Sequence, residues 1–346
     1  MTLRMGRRFA RLTIAATACL ALATGAAHAQ NAPKPQRPRL SMQPALGPLP
    51  EAWRAAEVIP LWTGAMPESG FKAHPVPADS PGTFLRNIET PAMRLFRPAR
   101  PNGAAVLVIP GGAYDFISIL NEGVSVAENL TAKGYTVFVL TYRLPGEGWS
   151  HRADVPLQDA QRALRTIRAK AADFGLQQGR FAVLGFSAGG HLAATLATDF
   201  GQEVYTARDA TDRLDARPDA VGLIYPVITA KPPFTHGLSA ERLLGTRPTP
   251  EAIARRSPAD RVTTATPPTF LVHSLDDGAV PVENSLLMLE ALRAAKRPVE
   301  AHFFEEGGHG YGLGAPEAST GHWIDSFDLW LQRVFATPPA PVSDRD

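Results

Sequence analysis

Six short apolar runs punctuate the chain, at residues 104–109, 135–140, 181–185, 220–224, 269–273 and 299–304. They are rich in Val, Ile, Leu and Phe and lack polar alternation, the pattern of strands buried on both faces of a parallel sheet. The stretches between them read as helices. Leu157, Ala160, Leu164, Ile167 and Ala171 recur at spacings of three and four, which defines one apolar stripe. Arg162, Arg165 and Arg168 fall on the other faces of that helix, where a solvated role is expected. Residues 121–133, 188–199, 283–296 and 321–335 give further helices. Strand and helix alternating at this pace predict an α/β fold, a mostly parallel central sheet with helices on both faces, in one domain spanning 51–336. Residues 231–266 carry prolines and short helical patches, interrupt the rhythm, and are expected to form a small insertion above the strand ends.

The ends of the chain read differently. Arg4, Arg7, Arg8 and Arg11 precede an apolar run at 12–27, rich in Ala and Thr and too short to span a bilayer comfortably, and Ala27-His28-Ala29 supplies a small-x-small cleavage pattern. Residues 1–29 are therefore read as a signal peptide, and the protein as exported, to the periplasm or beyond. Arg7-Arg8 hints at twin-arginine export, although the residues that follow fit that motif poorly. Cys19, the chain's single cysteine, lies in this leader, and Ala16 stands where a lipoprotein signal wants Leu. A mature chain would then hold no disulfide, thiol nucleophile or Cys-ligated metal. Residues 30–50 contain six prolines and are read as an extended lead-in; Pro338-Pro339-Ala340-Pro341 opens a tail at 337–346 read as disordered.

Charge narrows the partners. The whole chain has 35 basic and 33 acidic residues, but without the leader the balance is 31 to 33, near −2. That leaves no electrostatic reason to expect nucleic acid or an anionic membrane, and no membrane span is expected in the mature chain.

The sharpest chemical signal is Gly185-Phe186-Ser187-Ala188-Gly189-Gly190, between the run at 181–185 and an apolar helix. A strand that turns at once into a helix must bend within a few residues, and flanking glycines remove Cβ atoms that would clash. The serine is then held at the turn with its hydroxyl exposed at the strand's C-terminal end, the nucleophile-elbow arrangement. An alcohol needs a base and an orienting carboxylate. His309 is the candidate base, because Gly307-Gly308-His309-Gly310 sets it in a flexible loop after the last run. His302 lies within that run and His273 ends a strand. His191 is one turn past Ser187, where packing explains it, and His74, His151, His236 and His322 read as surface residues. Two carboxylates compete in Asp276-Asp277-Gly278-Ala279-Val280-Pro281. Asp277 is preferred because the D-x-x-V-P phrase starts there, with Asp276 capping the turn. For the oxyanion, Pro110-Gly111-Gly112-Ala113-Tyr114 can aim the N–H groups of Gly112 and Ala113 into the site, and Ala188 supplies another.

With these residues, the chain resembles the α/β-hydrolase superfamily. Within it, the chain is similar to secreted acetyl-xylan-esterase-like carbohydrate esterases, neighbours of the hormone-sensitive-lipase-like esterases. The resemblance runs from about Val58 to Phe335. It is carried by Ile59-Pro60-Leu61-Trp62, Pro110 to Tyr114, Tyr142-Arg143-Leu144-Pro145, the elbow Gly185 to His191, Asp277 to Pro281 and Gly307 to Gly310. It implies an α/β-hydrolase fold, Ser187 as nucleophile with Asp277 and His309, and Gly112, Ala113 and Ala188 as oxyanion donors. Relatives of the lipase type carry H-G-G-G where this chain has Pro110-Gly111-Gly112-Ala113, so lipase-like substrates are not implied.

The resulting expectation is a serine esterase removing short acyl groups, acetyl above all, from xylan or xylo-oligosaccharides, with no cofactor or metal. The alternatives are, in order, a general short-chain carboxylesterase, a prolyl-oligopeptidase-like peptidase and a non-catalytic hydrolase-like binding protein. The peptidase normally has a large upstream propeller, and binding proteins of this fold usually lose a triad member. No pair of opposed carboxylates supports a glycosidase, and no H-E-x-x-H motif a metal enzyme. Phe116 and Trp149 are candidates for a sugar platform, with packing as the competing role.

Overall fold

The computed structural model describes residues 48–336 apart from Ala65. The leader, the lead-in as far as residue 47 and the tail at 337–346 lie outside the described residues.

The described chain builds ten strands and eight α-helices. The strands are β1 (Glu57–Pro60), β2 (Phe84–Leu85), β3 (Ala92–Phe96), β4 (Ala105–Ile109), β5 (Ile117–Ser118), β6 (Thr136–Thr141), β7 (Phe181–Phe186), β8 (Ala220–Ile224), β9 (Thr269–Ser274) and β10 (Val299–Phe304). The helices are α1 (Glu51–Ala55), α2 (Ser125–Ala132), α3 (Val155–Ala169), α4 (Ser187–Thr198), α5 (Gly237–Leu244), α6 (Pro250–Arg255), α7 (Glu283–Ala294) and α8 (Trp323–Ala336). All six apolar runs of the sequence are strands. Eight strands form one sheet in the order β1-β3-β6-β4-β7-β8-β9-β10, and β2 and β5 pair separately. From β6 to β10 every pairing is parallel, whereas β1 and β3 join antiparallel at one edge.

The topology explains where a ligand can sit. From β4 the chain crosses to β6 on one side; from β7 it crosses to β8 on the other. Right-handed crossovers put the connecting helices of these two directions on opposite faces. Accordingly α2 packs on β6 and β3, and α3 packs on α4, while the C-terminal α8 packs on β8 and β9. Between β4 and β7 the crossover direction reverses, and the loops leaving the carboxyl ends of those strands diverge into a crevice. Every residue of β4, β6, β7, β8 and β9 is buried, which makes the floor of that crevice rigid.

The arginines of α3 are not a solvated face. Arg162 is buried, with ion pairs to Asp209 and Asp212 at 2.7 and 2.8 Å and its Nε–H on the Leu61 carbonyl. Arg165 donates to Leu214 O and Tyr205 Oη, and Arg168 to Arg217 O. The segments at 61 and 205–217 cover this side of the helix, so its polar stripe faces protein. The stretch 121–133 also begins differently, as a π-helical turn (Leu120–Val124) that passes into α2. The insertion at 231–266 carries α5 and α6 and a 3₁₀ turn (Pro258–Arg261).

Two of the family-like phrases serve the scaffold. Arg143 and Asp159 form a fully buried ion pair at 2.7 Å, with Arg143 also donating to Gln158 and the Pro67 carbonyl. Trp62 Nε1–H donates to the same Asp159 at 2.8 Å. Asp159 thus ties α3, the loop after β6 and the segment entering from β1, with nearly all the polar groups of the pair satisfied.

Candidate active site

β7 runs into α4 without a linker: Phe186 is extended and Ser187, the first helical residue, has φ +51°. A non-glycine residue in that region is strained, and it persists only where the surroundings force it. The forcing is visible at Gly189, where a Cβ would lie 2.2 Å from the Ile109 carbonyl oxygen. The start of α4 therefore rests directly on the end of β4, a contact that only glycine permits.

Ser187 Oγ lies 2.9 Å from His309 Nε2, and His309 Nδ1 lies 2.7 Å from Asp277 Oδ2. Because Nδ1 faces a carboxylate it carries the proton, which leaves Nε2 to accept from the serine hydroxyl. Asp277 Oδ1 accepts from the N–H groups of Ala279 and Val280, both at 2.9 Å. The remaining partner was not foreseen. His273, at the end of β9, places Nε2 at 3.2 Å from Asp277 Oδ2 and 3.0 Å from the Val280 carbonyl, while Nδ1 faces Ser285 Oγ at 2.8 Å. Two acceptors at Nε2 require it to be the N–H donor. Burial alone would raise the Asp277 pKa; the donors at His273, His309 and Val280 outweigh it and hold the carboxyl well below the usual range. Asp276 is exposed and accepts from the Gly308 N–H at 2.8 Å. It tethers the histidine loop and does not touch His309, a different part from the turn cap expected of it.

The oxyanion loop follows β4. Gly112, Ala113 and Tyr114 all have positive φ, at +130°, +56° and +60°. Among the described residues the N–H groups of Gly112 and Ala113 donate to no protein acceptor, and Ala188 N–H is among the first of α4, which a helix leaves free. The loop stands against the nucleophile: a Cβ on Gly111 would lie 2.8 Å from Ser187 Cβ. Its strain is held by Tyr114, whose hydroxyl bonds His191 Nδ1 at 2.8 Å; His191 Nε2 donates to the Arg256 carbonyl at 2.9 Å. Burial pushes the His191 pKa down to about 4, so the ring stays a neutral acceptor. His191 is thus a brace between the insertion and the oxyanion loop, beyond the packing role read from its position.

Other expectations change. His236 is half-buried at the start of α5, bonded to Ser239, and interacts electrostatically with His309 and Asp277, so the insertion borders the triad. Trp149 is buried against Phe71 and Arg143, and Phe116 stacks on Phe84 with centroids 4.1 Å apart. Trp149 is packed into the core and forms no open platform, whereas Phe116 and Phe84 are each half-buried. Past Tyr114 and Asp115 a cleft of about 280 Å³ opens, lined also by Arg86, Glu147 and Arg242. Asp115 is shared there by Arg86 at 3.2 Å and Arg242 at 2.7 Å. Among the described residues no group of three or more His, Cys, Asp or Glu side chains is placed to hold a metal ion, and no helix is long and apolar enough to cross a membrane.

A BD-FAE family model matches residues 93–292, a span that includes the elbow and Asp277 and stops short of His309. The acetylxylan esterase of Xylanibacter ruminicola is 29% identical over 256 residues, 73% of this chain and 49% of that protein. The endo-1,4-beta-xylanase B of Butyrivibrio fibrisolvens is 36% identical over 216 residues, 62% of this chain and 34% of that protein. This chain therefore spans half or less of the length of these two relatives. Among solved structures, the acetyl ester-xyloside bifunctional hydrolase of Caldicellulosiruptor lactoaceticus superposes with a TM-score of 0.68 at 34% identity, covering 81% of this chain and 96% of that one.

Proposed function

Because the chain belongs to the BD-FAE family and has the α/β-hydrolase fold, we propose that it is a serine esterase that hydrolyses acetyl and other short acyl esters on xylan or xylo-oligosaccharides. The observation that carries this reading is the continuous line Ser187 Oγ, His309 Nε2, His309 Nδ1, Asp277 Oδ2, set beside unpaired backbone donors.

The chemistry follows from that line. Ser187 Oγ attacks the ester carbonyl carbon as its proton passes to His309 Nε2. The carbonyl oxygen becomes an oxyanion, held by the N–H groups of Gly112, Ala113 and Ala188. Asp277 stays ionised and stabilises the imidazolium. When the tetrahedral centre collapses, the bond to the alcohol oxygen breaks, His309 protonates that oxygen, and the acyl group remains on Ser187. A water then attacks the acyl carbon while giving a proton to His309. The second collapse breaks the bond to Ser187 Oγ, which recovers its proton, and the carboxylic acid departs.

The substrate class is supported by the relatives, named for acetylxylan esterase, xylanase and acetyl ester-xyloside hydrolase activities. Export, supported by the leader pattern of residues 1–29, would bring the enzyme to such a substrate. A general short-chain carboxylesterase is the second reading, favoured by the burial of Trp149 away from any platform. Acetate release from acetylated xylo-oligosaccharides, followed by NMR with Ser187→Ala as control, tests both. Release by the wild type alone supports the first reading, and turnover confined to small alkyl or aryl esters replaces it with the second.

A further inference from the structure

Glu122 is a carboxyl group with no part in the reaction above, yet it stands where the catalytic loops meet. It lies on the π-helical turn Leu120–Val124 that follows the oxyanion loop, and it is buried. Both of its oxygens are engaged. Oε2 accepts from the Gly111 N–H at 2.7 Å, and Oε1 from the Tyr225 hydroxyl at 3.0 Å. That hydroxyl in turn accepts from the Gly312 N–H at 2.9 Å, and the Gly312 carbonyl accepts from Trp323 Nε1 at 3.0 Å. The Tyr225 ring stands edge-on to the His309 imidazole, with centroids 5.0 Å apart. One carboxyl group thereby joins the turn after β4, the residue after β8 and the loop after β10, which bear the oxyanion donors, a wall of the site and the base.

The placement is costly for a purely structural residue. A carboxyl group taken out of water is expensive, and burial accordingly raises the Glu122 pKa against the opposing pull of the Gly111 N–H, His309 and the Tyr225 hydroxyl. No Lys or Arg pairs with it among the described residues. An apolar residue would fill the space at lower cost, and such departures from local rules concentrate at functional sites, as π-turns do. The carboxyl is also close to the nucleophile: a Cβ on Gly111 would meet Glu122 Oε2 at 3.0 Å and Ser187 Cβ at 2.8 Å. Gly111 precedes the first oxyanion donor: Glu122 holds its N–H and the Ser118 N–H holds its carbonyl at 3.0 Å, so the peptide plane that bears the Gly112 N–H is fixed from both sides of Gly111.

We propose that Glu122 is a positioning residue, which through Gly111 and Tyr225 holds the oxyanion turn and the histidine loop in a common register around the ester. The inference rests on the serine-esterase reading. Displacement of catalytic groups by about 1 Å costs on the order of 100-fold in rate, so loss of the tie should appear in kcat and leave KM nearly unchanged.

The test uses the full chain, an aryl acetate substrate, an organophosphate that titrates reactive serine, and thermal melts. Glu122→Ala should lose about 10- to 100-fold in kcat per titrated site, with KM within about threefold and slower organophosphate labelling of Ser187. Glu122→Gln, whose amide oxygen can still accept from Gly111, should recover most of that loss. Tyr225→Phe keeps the ring on His309 but removes the relay, and should lose about tenfold in kcat. Combined with Glu122→Ala it should be no worse than Glu122→Ala alone, since both cut the connection between Glu122 and Tyr225. If Glu122→Ala does not fold, Tyr225→Phe carries the test. Wild-type kcat per titrated site in Glu122→Ala or Tyr225→Phe, or losses that follow only the folded fraction, would overturn the inference. A wild type that neither turns over nor is labelled at Ser187 would remove the esterase reading, and the inference with it.

Discussion

Replacing Asp277 by Asn should be far more damaging than removing the neighbouring Asp276, for a reason that the hydrogen bonds make explicit. Asp277 Oδ1 accepts two backbone N–H groups, from Ala279 and Val280, and Oδ2 faces His309. An asparagine at 277 must keep its carbonyl oxygen toward the two N–H groups, because its amide N–H₂ cannot accept. The amide then points at His309 Nδ1 as a donor, Nδ1 must accept, and the proton moves to Nε2. In that tautomer His309 cannot take the serine proton. A wrong tautomer of this kind costs about 10⁴-fold in kcat, about 5 kcal/mol of transition-state stabilisation, with KM little changed. Asp276→Asn retains an oxygen for the Gly308 N–H and should stay within about threefold; Asp276→Ala loses one net hydrogen bond of about 1 kcal/mol and up to about fivefold in rate. Steady-state kinetics on an aryl acetate, corrected for active sites, gives the comparison. A loss at Asp276→Asn equal to or larger than that at Asp277→Asn would refute the assignment of the acid.

Three further outcomes follow from the scaffold. Arg143→Ala leaves Asp159 buried without its cation and should cost about 3–5 kcal/mol in urea unfolding, whereas Arg143→Met, which refills the volume, should still fall short of the wild type while Trp62 holds Asp159. Glu147 is pushed by burial from near 4.5 up to about 7, so the folded state holds a proton that the unfolded chain has released, and stability should be full below pH 4.5 and fall as pH rises to 7. Glu147→Gln should remove about 2–3 kcal/mol of that pH dependence, read as the difference between wild-type and variant unfolding free energies across the window; parallel curves would contradict it. Gly189→Ala drives a Cβ to 2.2 Å from the Ile109 carbonyl and should cost about 3 kcal/mol or more, seen as a lower melting temperature together with lost activity.

Much of the architecture was legible because parallel strands are buried on both faces and so read as unbroken apolar runs. The edge strands β1 and β3 were not, since β3 alternates partly exposed and buried side chains and carries Arg94, and β1 is mostly exposed. A search for continuous hydrophobicity passes over both. The α3 arginines misled for a related reason: helix periodicity shows which faces are polar, and only tertiary structure shows that Asp209, Asp212 and the Leu61 carbonyl wait for Arg162. At the site, Ser187 and His309 stood out by glycine-rich settings that serve the turn and the loop. His273, His191, Tyr225 and Glu122 carry no such local mark. His191, Tyr225 and Glu122 work through partners far away in sequence, His273 through a loop whose course back onto it no local pattern shows, and a buried glutamate near a helix start looks like any solvated one until the fold closes over it.

Every step of the proposed reaction requires the acyl group to pass through Ser187. Acid-quenching the enzyme during turnover of an acetyl ester, followed by peptide mass spectrometry, tests it most directly. The peptide containing Ser187 should gain the mass of one acetyl group, absent in Ser187→Ala and accumulating in a variant slowed in deacylation. Turnover with no acylated peptide, or undiminished turnover by Ser187→Ala, would contradict it.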